Sequence, residues 1–404
     1  MDPSFENLLG VSIVAFTVPF VLGFLPRVRI PTVVVELLVG VLVGPAMLGW
    51  VHPDEVVSLM ATLGVSFLLF LAGLELDLGV LRGRPLKLGG IGFLCSVVIA
   101  LAALIPLGAA DIVLTPSLVA IALSATSVGI VIPALRDAGR LDSPAGLFTV
   151  AGGSVAEVGT IAMLAVLFST GGGSPALEAM LLVVVAGLAL VALRLLRRFA
   201  ESAEAMRVFL RLDESSSQVR VRLAVVLMLA AVVIATRFGF EAILGAFLAG
   251  AVLAIVVSTW EQQERFRSKV EAVGFGFFVP VFFITSGMNF DLWGLLNPAE
   301  LVRIPLFLAI LLAARALPAL LYRKDLSARE TAAAGLLQAT NLSFIVVVAH
   351  LGAELGEVRK VTGDALITAG LLSALLFPAL ASRLLGRAER GTDEAGDAES
   401  DEAL

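Results

Sequence analysis

Two charged residues stand where a lipid-soluble sequence has little ordinary use for them. Glu157 lies in the middle of the apolar run 144–168 (PAGLFTVAGGSVAEVGTIAMLAVLF), and Arg315 lies inside another, FLAILLAARALPALLY. About 20 apolar residues span the hydrocarbon core of a bilayer. A carboxylate or a guanidinium at that depth costs several kcal/mol unless it meets a partner or water. Arg does not deprotonate, so Arg315 needs an acid, and Glu157 is the most deeply placed one. Contact between them at some stage of a transport cycle is expected. The alternative for Arg315 is snorkelling toward Tyr322 at the inner end of its segment. Intramembrane acids of this kind mark ion or proton pathways.

Small polar residues accompany these charges. Ala125-Thr126-Ser127-Val128-Gly129 interrupts one apolar segment, and Ala339-Thr340-Asn341-Leu342-Ser343 interrupts another. Such residues suit helices that break near the midplane and turn their dipole ends toward an ion. Intact helices with Ser and Thr bonded back to the backbone, or a seam of small residues, are the alternatives. The two stretches also form a repeat. Gly73-Leu74-Glu75-Leu76-Asp77-Leu78 matches Gly287-Met288-Asn289-Phe290-Asp291-Leu292, and both pairs of matches share an offset of 214 positions. Glu75 and Asp77, like Asp291, read as interfacial caps. Glu36, in IPTVVVELLVG, reads as structural or as part of an ion-access path.

The elements that must position these groups follow from composition. The chain has 404 residues, 59% hydrophobic, with a mean hydropathy of +1.00. Soluble domains are about 45–50% apolar, so the expectation is an all-α polytopic membrane protein. Thirteen apolar segments can be counted, at roughly 7–26, 30–50, 57–75, 87–108, 115–134, 144–168, 175–194, 221–238, 241–257, 270–287, 301–322, 329–352 and 361–385. With the N-terminus outside, 23 of the 28 Lys and Arg flank the inner side, which fixes the predicted orientation by the positive-inside rule. The fifth and twelfth segments then run in opposite directions. Two inverted six-helix units with the seventh segment between them are the predicted architecture.

The remaining features exclude more than they assign. A net charge of −6 argues against a nucleic-acid partner. Residues 388–404 are an acidic tail, expected to be disordered and cytoplasmic. The single cysteine, Cys95, permits no intrachain disulfide and no zinc site. His52 and His350 lie near segment ends. No basic n-region precedes the first apolar run, so that run should stay as a membrane helix.

The motifs together resemble the monovalent cation/proton antiporter superfamily, specifically cation/proton antiporter family 2. The resemblance rests on residues 30–40 (IPTVVVELLVG), 70–77 (FLAGLELD), 125–144 (ATSVGIVIPALRDAGRLDSP), 244–250 (LGAFLAG) and 282–288 (FFITSGM), and covers about residues 10–385. It implies thirteen helices with crossed broken helices and a homodimer in the inner (plasma) membrane. Within residues 1–387, helices 1–3 and 8–10 would form a dimerisation panel, and helices 4–6 and 11–13 an ion-binding core. It implies a polar–acid pair on the sixth helix, at Ala156 and Glu157 here, and a basic residue on the eleventh, at Arg315. Groups near Thr126, Ser127 and Asn341 would complete the site. Ala156 departs from the pattern, and Glu157 is longer than the usual Asp. With no nucleotide-binding regulatory domain in these residues, ligand-gated potassium efflux is not expected.

The implied activity is secondary antiport, not enzymatic, of a monovalent cation, Na⁺ or K⁺, against H⁺. No cofactor is called for beyond the transported ions. A proton and a hard cation would compete for the Glu157 carboxylate, with Ser154, Thr126 and Ser127 able to add oxygens. One exchangeable carboxylate predicts electroneutral exchange. Two alternatives keep the architecture: an ion-responsive component that does not transport, and an organic-anion transporter with Arg315 as the ligand and Glu157 as its resting counter-ion.

Overall fold

The structure is a computed structural model that describes residues 5–24, 30–75, 83–168, 194, 218–237, 242–257, 263–295 and 297–386. The seventh apolar segment apart from Arg194, Asp77, the acidic tail and some of the basic residues behind the predicted orientation lie outside the described residues. All the described elements are helical. They are α1 (Glu6–Gly23), α2 (Thr32–Val43), α3 (Glu55–Leu74), α4 (Gly83–Ala109), α5 (Pro116–Leu123), α6 (Val128–Asp137), α7 (Pro144–Phe168), α8 (Val219–Arg237), α9 (Ala242–Val257) and α10 (Gln263–Val273). A π turn, Gly274–Phe278, leads into α11 (Val279–Met288). After two single-turn helices come α12 (Arg303–Ala316), the 3₁₀ segment Pro318–Lys324, α13 (Ala328–Gln338), α14 (Ser343–Glu354) and α15 (Lys360–Leu385).

Among the described residues ten helices are long and apolar enough to cross a membrane, and two shorter apolar helices, Thr32–Val43 and Leu244–Val257, accompany them. These twelve coincide with every predicted segment except the seventh. The eighth and ninth segments, almost contiguous in sequence, are separate helices, α8 and α9.

The offset of 214 extends far beyond the two motifs from which it was read. Added to Leu74, the last residue of α3, it gives Met288, the last residue of α11; added to Val43, the end of α2, it gives Val257, the end of α9. The packing repeats too: α3 lies on α9 as α11 lies on α2, and α4 lies on α7 as α12 lies on α15. The relation is inverted. Gly64 of α3 lies against Phe278 and Phe282, whereas Leu71, further along α3, lies against Gly274, so α3 and α11 run antiparallel. The motif glycines are there because backbones meet. A Cβ on Gly73 would lie 2.3 Å from the Phe247 carbonyl oxygen, and one on Gly287 2.1 Å from that of Leu37. Small residues at such seams let apolar helices approach closely without a hydrophobic driving force.

Local capping fixes where helices begin. Asp54 caps α3, accepting from the Val57 amide at 2.9 Å and from Asn7 Nδ2 at 2.9 Å. The Val57 amide in particular holds its carboxyl below the ordinary carboxylate range. Ser327 and Glu330 form a capping box at the start of α13.

Candidate functional site

The two interrupted segments are broken helices, and each satisfies the other's backbone. Residues 124–127 separate α5 from α6, and residues 339–342 separate α13 from α14. The amide of Ser127 donates to the carbonyl of Thr340 at 2.9 Å. The Thr126 hydroxyl donates to the Gln338 carbonyl at 2.6 Å, and Asn341 Nδ2 donates to the Ala122 carbonyl at 2.7 Å. Ser127 Oγ accepts from the amides of Leu342 and Ser343, at 3.1 and 3.2 Å, where α14 starts. Non-helical backbone at membrane depth needs such internal partners. Ser373 on α15 supports the crossing, accepting from the Asn341 amide and donating to the Asn341 carbonyl, both at 3.1 Å.

Arg315 is fastened into this crossing. Its side chain is 1% exposed. Nε donates to Thr126 Oγ1 at 3.1 Å and to the Gln338 carbonyl at 3.3 Å; Nη1 donates to Ser96 Oγ at 3.0 Å; Nη2 donates to Thr126 Oγ1 at 2.8 Å and to the Gly152 carbonyl at 3.4 Å. The Gln338 carbonyl ends α13, so it carries the negative end of a helix dipole. Four oxygens thus receive the guanidinium, and the expected contact with Glu157 is not formed in this structure. Thr126 is correspondingly occupied: a hydroxyl has one hydrogen and two lone pairs, and here all three are used.

Glu157 is buried as well, at 6% exposure, and makes no hydrogen bond or ion pair among the described residues. It faces a cavity of about 650 Å³ that also touches Ser127, Glu75 and Asp137, with Phe283 and Phe344 in its apolar wall. The cavity runs to the end of the molecule marked by Ile30 before α2, Asp137 at the end of α6 and Ser382 near the end of α15. Both lone pairs of the Ser127 hydroxyl are taken by the α14 amides, which leaves its hydrogen free to donate into the cavity. Ala156 points elsewhere: it is fully buried and packs with Phe93 and Val97 of α4. Its missing polarity therefore opens no hole beside Glu157.

This arrangement of inverted repeat, crossed breaks and a lone carboxylate on a cavity narrows the comparison. The sequence profile described as "Sodium/hydrogen exchanger, transmembrane" matches residues 12–385. The chain belongs to that family. Among its relatives, YjbQ of Bacillus subtilis is 27% identical over 96% of this chain, which spans only 64% of YjbQ's length. The protein named Na(+)/H(+)-K(+) antiporter GerN of Bacillus cereus is 28% identical over 72% of this chain and 74% of its own. The solved sodium proton antiporter MjNhaP1 of Methanocaldococcus jannaschii superposes with a TM-score of 0.66 over 94% of this chain and 99% of its own, at 17% identity. The sodium/hydrogen exchanger fold is therefore shared although few residues are.

Within this exchanger fold the residues singled out from sequence separate into two groups. Thr126, Ser127, Asn341 and Arg315 meet at the crossing. Glu157 and Ser127 meet at the cavity, so Ser127 joins the two. Asn341 Oδ1 is buried at the crossing with no hydrogen-bond partner. Ser154, one turn before Glu157, is half-buried and not among the cavity-lining residues. No group of three His, Cys, Asp or Glu that could hold a metal ion occurs among the described residues.

Sequence reasoning passed over Ser96, Gly152, Gln338 and Tyr322. Gln338 Nε2 donates to the Tyr322 hydroxyl at 3.0 Å, and a Cβ on Gly152 would lie 2.3 Å from that nitrogen and 2.6 Å from the hydroxyl. Two signals were available. Tyr322 is the only tyrosine of the chain, and Gly152-Gly153 is a glycine pair in the helix that carries Glu157.

Proposed function

We propose that the protein is a secondary antiporter that exchanges a monovalent cation, Na⁺ or K⁺, for H⁺ by alternating access, with Glu157 as the carboxylate both ions share. The observation that carries this reading is a buried acid without a protein partner on the wall of a cavity that leads out of the membrane domain. Such an acid is stable when neutralised, by a proton or by a cation. Family membership and the activities in the names of GerN and MjNhaP1 support the same class. The inner side, by the distribution of Lys and Arg, is the side to which the cavity leads, so the arrangement corresponds to an inward-open carrier in a plasma membrane. A homodimer with a cytoplasmic C-terminus is part of the same reading.

In this mechanism Glu157 loaded with either ion is close to neutral and can cross with the helices that carry it. Emptied, its charge opposes that movement, because an ionised carboxylate is costly in hydrocarbon. Arg315 keeps its charge throughout and serves to hold the two breaks together. Its donors face protein oxygens and it lines no cavity, so the organic-anion alternative is not adopted. Ser127 can donate to the carboxylate or to cavity water; Asn341 Oδ1 and Ser154 are candidate further oxygens for a cation. One exchanging carboxylate gives one proton per cation and no net charge movement.

The test is dissipation of a pH gradient by Na⁺, Li⁺ and K⁺ in vesicles carrying the wild-type chain or Glu157→Gln. Wild type should respond to at least one of the ions, and the variant to none, while reaching the membrane at the same level. A variant that exchanges as well as wild type would sink the assignment of Glu157.

A further inference from the structure

Glu75 was read from sequence as an interfacial cap, but the structure puts it on the wall of the Glu157 cavity. It follows the last residue of α3, whereas Glu157 is on α7. Its field reaches Glu157. The other charges that act on Glu75 are Arg267 and Glu271, of opposite sign and both on α10. They largely offset each other, which leaves Glu75 as an excess negative charge facing the cavity. The acid it faces is more than nine-tenths buried, unpartnered and directed into the same space. The two come from different packing neighbourhoods. α3 packs on α2, α9, α11 and the π turn, while α7 packs on α4, α5, α6 and α13.

Building on the antiport reading, we propose that Glu75 is a second carboxylate of the cation site, one that the cation meets only from the cavity side. An apolar-walled cleft with negative charge at its inner end concentrates cations there. The cation binds between Glu157 and Glu75, neutralises Glu157 and leaves with it when α7 moves. Glu75 stays with α3, keeps its charge and takes no part in the proton count. On the far side the cation leaves Glu157 without the field of Glu75, so release is easier there than on the cavity side. Glu75 thus supplies, from across the cavity, negative polarity that position 156 does not supply, since Ala156 faces α4.

The experiment is cation-dependent exchange by the full chain in proteoliposomes of known sidedness, with KM measured from each face. Glu75→Gln should raise the cavity-side KM by about tenfold, the lower end of such focusing. The maximal rate and the far-side KM should stay within about twofold of wild type, and exchange should remain free of net charge movement. Glu75→Asp, which keeps the charge, should restore most of the loss. A KM unchanged on both faces, or raised equally on both, overturns the inference. If Glu75→Gln does not reach the membrane, Ala72→Asp places a carboxylate on the same wall and should lower the cavity-side KM; no change there overturns the inference as well. A wild-type chain that dissipates the gradient beside an indistinguishable Glu75→Gln sinks the pairing alone. A wild-type chain that dissipates none sinks the antiport reading and this inference with it.

Discussion

Arg315 and Glu157 are both charged, both deep in the membrane domain and both buried, yet their surroundings differ in kind. Arg315 ends among four oxygens contributed by α4, α7 and the two breaks. Glu157 ends at a cavity, without a partner among the described residues. Burial alone does not distinguish a structural charge from a working one; the supply of partners does. A charge whose hydrogen bonds are all made holds its neighbours in place, and removing it leaves them unsatisfied. A charge with none is waiting for something that comes and goes.

The contrast can be broken by substitution at its two ends. Arg315→Met keeps much of the aliphatic volume and removes every donor. It should destabilise the protein by about 3–5 kcal/mol, the cost of breaking a buried charged network by removing one partner, visible as a large loss of melting temperature in detergent. Glu157→Gln should leave the melting temperature unchanged or raised while exchange falls to background. If both variants lost stability alike, the division into a structural and a working charge would be wrong.

Smaller effects sharpen the boundary between the regions. Gly152→Ala forces a methyl group against Gln338 and Tyr322, so it should cost about 1–3 kcal/mol by overpacking. Its thermal denaturation should shift without a change in which cation is preferred, because it strains the crossing rather than the cavity. The smallest effect lies far from both. Asp54→Ala removes the cap of α3 and should cost about 1 kcal/mol near neutral pH. The folded-state carboxyl titrates below its ordinary value. Its contribution is therefore complete above the unfolded value, about 3.9, and disappears as pH falls through the lower folded one. Melting curves of wild type and variant should converge at low pH and separate above it, with exchange kinetics alike throughout.

Much of the architecture was legible because it is written in one-dimensional signals. Twelve apolar segments became twelve helices since hydrocarbon tolerates only backbone that is hydrogen-bonded within itself. The offset of 214 held from α2 to α15 since both halves pack the same faces. Glu157, Arg315 and the broken stretches were visible as polar interruptions of apolar runs. Other residues were silent for the opposite reason. Ser96 and Gln338 look like ordinary small or polar members of their segments, and only their approach to Arg315 gives them a role.

The sequence by itself therefore determined the class of protein, the repeat and the one acid worth testing, because composition and periodicity follow from the solvent each segment must face. What only the tertiary structure decided was which groups meet. It gave Arg315 to Thr126 and not to Glu157, turned Ala156 toward α4, and brought Glu75 from a helix end to the cavity wall. Those outcomes depend on how helices distant in sequence rotate and cross, and that is fixed by close packing at glycine seams, which no single segment encodes.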